Sequence, residues 1–178
     1  GKVYHFGWAG DLDVAPAIAF LQTRPEVNAK RIGIIGLSSG GMTALNAAAK
    51  LPSLRAVSVD GVEANSMEDL FNPMPPSYKK YWFMAPMPWM TDRATMLFSS
   101  MYHPQSMQSL LEAISPRPVL FIASGAESEI FQARKFVTAN PQHVSLWEIP
   151  EAKHIEGIFI QPEEYADRLL SFYEDNLR

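Results

Sequence analysis

Cysteine is absent from the 178 residues. That excludes a disulfide frame, a cysteine-ligated zinc or iron–sulfur site and a thiol nucleophile, and it assigns no compartment. Positive charge is also scarce. Fifteen Lys+Arg stand against 19 Asp+Glu, a net charge of −4, and no Lys/Arg cluster supplies the basic footprint that displaces counterions from nucleic acid. The apolar runs are strand-sized and fall short of the ~20 residues that cross a bilayer. No basic-then-apolar leader opens the chain. The first residue is Gly1 rather than Met, so an upstream segment is expected to have been removed.

What is present suits a folded domain. A hydrophobic share of 47% with 19% charged residues is enough apolar material to offset ordering entropy, which a disordered chain lacks. The length fits one domain with a small excursion. Apolar residues recur at helical spacing from Asp11 to Thr23. A short buried strand follows over Arg31–Gly36, then an Ala-rich helix from Met42 to Leu51 closed by Pro52. Further apolar strands are predicted at Ala56–Asp60, Pro118–Ala123 and Val144–Ile149, with helices at Ile130–Ala139 and from Pro162 to Leu177. The last carries a stripe of Tyr165, Leu169, Leu170, Phe172 and Tyr173. Strands alternating with helices predict a parallel α/β sheet covered on both faces.

The stretch between the second and third strands departs from this pattern. Eight of the nine methionines lie from Met67 to Met107, and five of the 14 prolines lie from Pro73 to Pro88, too many breakers for regular core elements. The chain is therefore divided into a core of residues 1–61 and 114–178 and an irregular helical cap or lid at 62–113. The apolar group Trp82, Phe83, Met84, Met87, Trp89, Met90, Met96 and Phe98 has three readings. It packs the cap over the sheet, with Met filling gaps; it lines an acyl pocket, with Trp82, Met87 and Trp89 as substrate-binding residues; or Trp89 and its neighbours touch a membrane.

One motif carries chemistry. Gly36-Leu37-Ser38-Ser39-Gly40 is G-x-S-x-G between a predicted strand and a predicted helix, the setting in which a sharp turn lifts a serine hydroxyl above the sheet. The helix beneath favours the negative charge of acyl transfer, and the N–H of Ser39 is placed as an oxyanion donor. Phosphate-binding turns are also rich in Gly and Ser, but the lysine of a phosphate loop and the G-x-G-x-x-G pattern are missing.

A serine needs a base. His5 precedes the motif, His103 lies in the insertion and His143 stands just before a strand. His154 occupies the loop after the fourth strand, which in a parallel sheet opens at the same carboxyl edge as the motif. The histidine in turn needs a carboxylate. Glu127, Glu129 and Asp60 are the candidates, and Glu127 is favoured because it keeps the chain order Ser, acid, His and lies in a loop adjacent to that of His154.

These features together resemble the C-terminal part of an α/β-hydrolase, nearest to the esterase and dienelactone-hydrolase-like branches. The resemblance rests on Trp8-Ala9-Gly10-Asp11-Leu12-Asp13-Val14 leading to Arg31-Ile32-Gly33, the G-x-S-x-G motif, Ile149-Pro150-Glu151-Ala152-Lys153-His154, and Pro162-Glu163-Glu164-Tyr165. It covers nearly the whole chain outside the Met/Pro-rich section, which would be a cap after the sixth strand of the family fold. The family usually has Asp as the acid. Its sheet has eight strands, whereas only four are found here, and the absent half normally carries the second oxyanion donor. The resemblance implies a serine esterase acting through Ser38, His154 and Glu127 without metal or cofactor. Its sheet would be completed by an N-terminal fragment, a second subunit or a swapped copy. Thioesters, amides or peptides are alternative substrates of the same site, and a non-catalytic assembly half is the alternative outside catalysis.

Overall fold

The computed structural model describes residues 7–178 apart from 72, 85 and 100–103; side chains at 67, 81, 82, 84, 88, 92, 95 and 99 also stand outside the description. Four strands, β1 (Ile32–Leu37), β2 (Leu54–Asp60), β3 (Val119–Ser124) and β4 (Val144–Ile149), form one sheet in the order β1-β2-β3-β4. Every pairing is parallel. The helices are α1 (Gly10–Gln22), α2 (Ser39–Lys50), α3 (Met67–Phe71), α4 (Pro86–Ser99), α5 (Met107–Ile114), α6 (Glu127–Ala139), α7 (Gly157–Ile160) and α8 (Pro162–Asn176), with a 3-10 segment over Pro76–Met84. The parallel α/β sheet expected from the strand–helix alternation is observed.

Side chains alternate across the strands with period two, so β3 and β4 each serve two cores. Val57 and Val59 of β2, with Val119, Phe121 and Ala123 of β3, pack beneath α2, α5 and α6. Leu120 and Ile122 of β3 face the opposite way and meet Trp147, Ile149 and Tyr165, with Leu169 and Phe172 against them. Helix α8 thus covers one face alone. It also satisfies the polar residues that β2 turns toward it. The Ser58 hydroxyl donates to Tyr173 Oη at 2.6 Å, Tyr173 donates to the Ile34 carbonyl at 2.7 Å, and Tyr165 donates to Asp60 at 2.8 Å. Such partnering is what buried polar groups require.

The 62–113 span is not packed uniformly. Its last helix, α5, belongs to the main core: Met107, Leu110, Leu111 and Ile114 are fully buried. Buried Asp69 clasps the two ends of the span, its carboxylate accepting from the backbone N–H groups of Asn65, Ser66 and Met107 at 2.8–2.9 Å. A second carboxylate, that of Glu63, accepts from Tyr78 in the 3-10 segment and from Ser128 in α6. Helix α4 differs: Met87, Trp89, Met90, Leu97 and Phe98 are exposed. Two readings of the helical stripes also change. Leu12 of α1 stands in solvent, because α1 packs on α2 through Val14, Ile18 and Leu21. Leu170 of α8 points outward, since the face that meets the sheet runs through Tyr165, Leu169, Phe172 and Tyr173.

Candidate active site

β1 ends at Leu37 and α2 begins at Ser39, so Ser38 alone makes the turn. Its backbone has φ 50° and ψ −121°, a left-handed conformation that costs a non-glycine residue on the order of 1–3 kcal/mol. The glycines beside it have packing reasons. A Cβ on Gly36 would strike the Gly40 carbonyl, and one on Gly41 would strike Val62. A Cβ on Gly40 meets nothing, so the close approach in this turn runs through Gly36 and Gly41. The turn is held from β2, where the Asp60 carbonyl accepts the Ser38 N–H at 2.8 Å. Ser39 is the first residue of α2; its N–H belongs to the helix turn that lacks intrahelical partners.

His154 reaches this turn from the loop after β4. Its Nε2 lies 3.0 Å from Ser38 Oγ and its Nδ1 lies 2.5 Å from Glu129 Oε1. With Nδ1–H donating to the carboxylate, Nε2 is left to accept from the serine hydroxyl, a tautomer assigned from its partners. The imidazole is 49% exposed, whereas the Glu129 side chain is 2% exposed. Glu129 Oε2 also accepts the Ser124 N–H at 2.9 Å, so both carboxylate oxygens are fixed. Ile155, next to the histidine, has φ 56°, unusual for a β-branched residue. Among the described residues, Ser38 and Ile155 are the two non-glycine positions with positive φ, and both lie here.

The carboxylate that meets His154 is therefore Glu129 and not Glu127. α6 begins at Glu127, three residues earlier than the sequence pattern predicts, and Glu127 is exposed at its first position. Two residues on, at about 100° per residue, Glu129 points to the opposite side. It falls on the buried stripe Glu129, Gln132, Ala133 and Phe136. That helical spacing is present in the sequence and distinguishes the two glutamates once the helix begins at Glu127.

Asp60 lies close by but is otherwise engaged. It is 2% exposed and accepts from Tyr165. Burial pushes its carboxyl above the ordinary aspartate range, and the neighbouring Glu129 charge pushes the same way, against the Tyr165 hydrogen bond. Burial and Asp60 together raise the Tyr165 hydroxyl.

Of the remaining expectations, the side chain of Trp82 lies outside the described residues. Met87 and Trp89 are 59% and 53% exposed on α4, and Arg93 lies over the Trp89 ring at 5.3 Å. Among the described residues no cluster of three or more His, Asp or Glu is arranged to hold a metal ion.

Comparison with known proteins agrees with this architecture. The solved esterase Pf2001 of Pyrococcus furiosus superposes on the whole chain with a TM-score of 0.68 at 19% identity, and the chain spans 66% of its length. The hypothetical protein PA2218 of Pseudomonas aeruginosa matches 94% of the chain (TM-score 0.62, 19% identity), which spans 67% of it. The α/β hydrolase GrgF of Penicillium sp. sh18 matches 94% (TM-score 0.59, 17% identity), with 71% of its length spanned. No curated protein sequence matches. The fold is that of the α/β hydrolases, and the model of the family described as "BAAT / Acyl-CoA thioester hydrolase C terminal" matches residues 15–117, more than half of the chain. The chain belongs to that family.

Proposed function

We propose that the chain carries the Ser-His-acid triad of a serine hydrolase that cleaves carboxylic esters. The observation that carries this reading is the unbroken hydrogen-bonded series from Ser38 Oγ through His154 to Glu129, at 3.0 and 2.5 Å. Ser38 attacks the ester carbonyl while Nε2 of His154 takes its proton. Buried Glu129 fixes the tautomer and stabilises the imidazolium. The Ser39 N–H, with the α2 dipole behind it, donates to the oxyanion. His154 then returns its proton to the leaving alcohol, and a water activated by the same histidine hydrolyses the acyl-enzyme.

A second reading keeps the triad and changes the leaving group. The family description names acyl-CoA thioester hydrolases, which favours a thiolate leaving group. Matched oxoester and thioester substrates with one acyl group separate the two readings by their kcat/KM ratio.

Sheet completion is a further part of the proposal. β1 pairs with β2 on one side, and its Ile35 and Leu37 are 41% and 38% exposed. We infer that strands from outside these 178 residues join β1 and bring the second oxyanion donor. Loss of one such donor costs about 10²–10³ in kcat. An upstream fragment, a second subunit and a swapped copy are distinguished by native mass.

The direct test is a fluorophosphonate probe on the protein and on Ser38→Ala, read by intact mass. An adduct confined to the unmutated chain supports an activated Ser38. No adduct on a folded sample would remove the catalytic reading for this chain.

A further inference from the structure

One dipeptide touches both ends of the proposed proton path, and neither of its side chains belongs to the triad. Asp60 and Gly61 close strand β2. The Asp60 carbonyl accepts the Ser38 N–H at 2.8 Å. Gly61 has φ +70°, and a Cβ built on it would lie 2.7 Å from His154 Cε1, 2.9 Å from Nδ1 and 2.9 Å from Ile155 Cγ2. Real Cβ atoms do not come that close, so the bare α-carbon is what lets the imidazole rest there.

The dipeptide is held firmly. The Gly61 N–H donates to the Ile122 carbonyl of β3 at 3.1 Å, and the Asp60 side chain, 2% exposed, is tied to Tyr165 of α8. Three elements thus fix it: the turn at Ser38, strand β3 and helix α8. The imidazole is half exposed and has room to swing outward.

We propose that the Asp60–Gly61 unit sets the separation of Ser38 and His154, holding the serine by its backbone and stopping the imidazole at Gly61. Gly61 is then a positioning residue of the proposed hydrolase, and the inference rests on that reading. A side chain at 61 pushes against the ring edge that includes Nδ1. The ring moves toward solvent, lengthening its bonds to Glu129 and Ser38 together. Misplacement of a reacting group by about 1 Å costs on the order of 10²-fold.

The test is a double-mutant cycle of Gly61→Ala and His154→Ala on p-nitrophenyl acetate hydrolysis, with folding checked by near-UV circular dichroism. Gly61→Ala is expected to lower kcat by about 10²-fold with KM within about threefold. In the His154→Ala background, where no ring remains to be displaced, the same change is expected to alter the residual rate by less than about twofold. Equal losses in the two backgrounds, or a folded Gly61→Ala with nearly full kcat, would overturn the proposal.

NMR of the unmutated chain supplies a readout independent of activity. A strong NOE between the Gly61 α-protons and His154 Hε1 is expected, and its absence overturns the proposal even if Gly61→Ala does not fold. If the chain is inactive but the NOE is present and the His154 Nδ1 proton shifts in Gly61→Ala, the positioning role stands and the hydrolase reading falls.

Discussion

The carboxyl edge of the sheet is built very differently on its β2–β4 side and on its β1 side. Toward β2–β4 polar groups are buried in matched sets: Glu129 between Ser124 and His154, Asp60 against Tyr165, Ser58 against Tyr173. Toward β1 and on α4 the reverse holds, with Ile35, Leu37, Met87 and Trp89 presenting apolar surface to solvent. Buried polar groups are tolerated when partnered, and apolar groups at a surface mark a binding site only where they form a large contiguous patch. The β2–β4 side therefore carries the partnered polar groups on which the proposed chemistry rests, while the β1 and α4 sides are the surfaces that the proposal assigns to substrate or to further strands.

The contrast is broken most forcefully at the acid. Replacement of Glu129 by Gln keeps the shape and removes the charge that, on the proposed mechanism, stabilises the imidazolium; kcat is expected to fall by about 10²–10⁴-fold. Glu127→Gln, two residues away but exposed, is expected to stay within about twofold. Steady-state hydrolysis of one ester by both variants checks the pair. A larger effect at 127 would return the acid to the residue favoured by chain order.

The two glutamates show where the sequence is legible. The last three strands and α8 announce themselves through apolar runs and a single stripe, and the G-x-S-x-G motif locates the turn that the structure places at Ser38. Boundaries are harder to read, because helix starts depend on tertiary contacts. A helix that begins at Ile130 leaves both glutamates in an undifferentiated loop, whereas one that begins at Glu127 puts them on opposite faces. Helix α5 was hidden for a related reason. Its buried residues follow a Met/Pro-rich stretch that reads as irregular throughout, although the Ser106 hydroxyl caps it by accepting from the Ser109 N–H. The close approach of Gly61 to His154 could not be seen at all, because it joins residues far apart in the chain.

The polar pair behind the site predicts a smaller effect. Tyr165→Phe removes the donor to buried Asp60 and is expected to cost about 1–3 kcal/mol of stability by chemical denaturation. The pH dependence has a definite sign. The carboxyl of Asp60 is raised by burial above its ordinary value of 3.8, so the folded state holds this proton more tightly than the unfolded chain. Its contribution is complete below that value and is lost as pH rises through the raised one. Asp60→Asn, which keeps an acceptor for Tyr165, should therefore gain stability relative to the unmutated chain between pH 4 and pH 7. A relative loss over that interval would mean that the carboxylate is stabilised where it sits.

The smallest expected effect probes the other side. Ile122 of β3 is 2% exposed and packs under α8, whereas Ile35 of β1 is 41% exposed. Ile122→Ala should cost about 2–5 kcal/mol, since it removes buried methylenes and leaves a cavity. Ile35→Ala should stay within about 0.5 kcal/mol if β1 is a true edge in solution. The comparison becomes sharper if that second value is wrong. A loss at Ile35 approaching that at Ile122 would mean that the residue is buried by something outside this chain's own fold. A midpoint that rises with protein concentration would identify the cover as a second copy. A native mass larger than one chain at every concentration would instead point to a tightly held partner, and in either case the edge of β1 would be where the rest of the sheet begins.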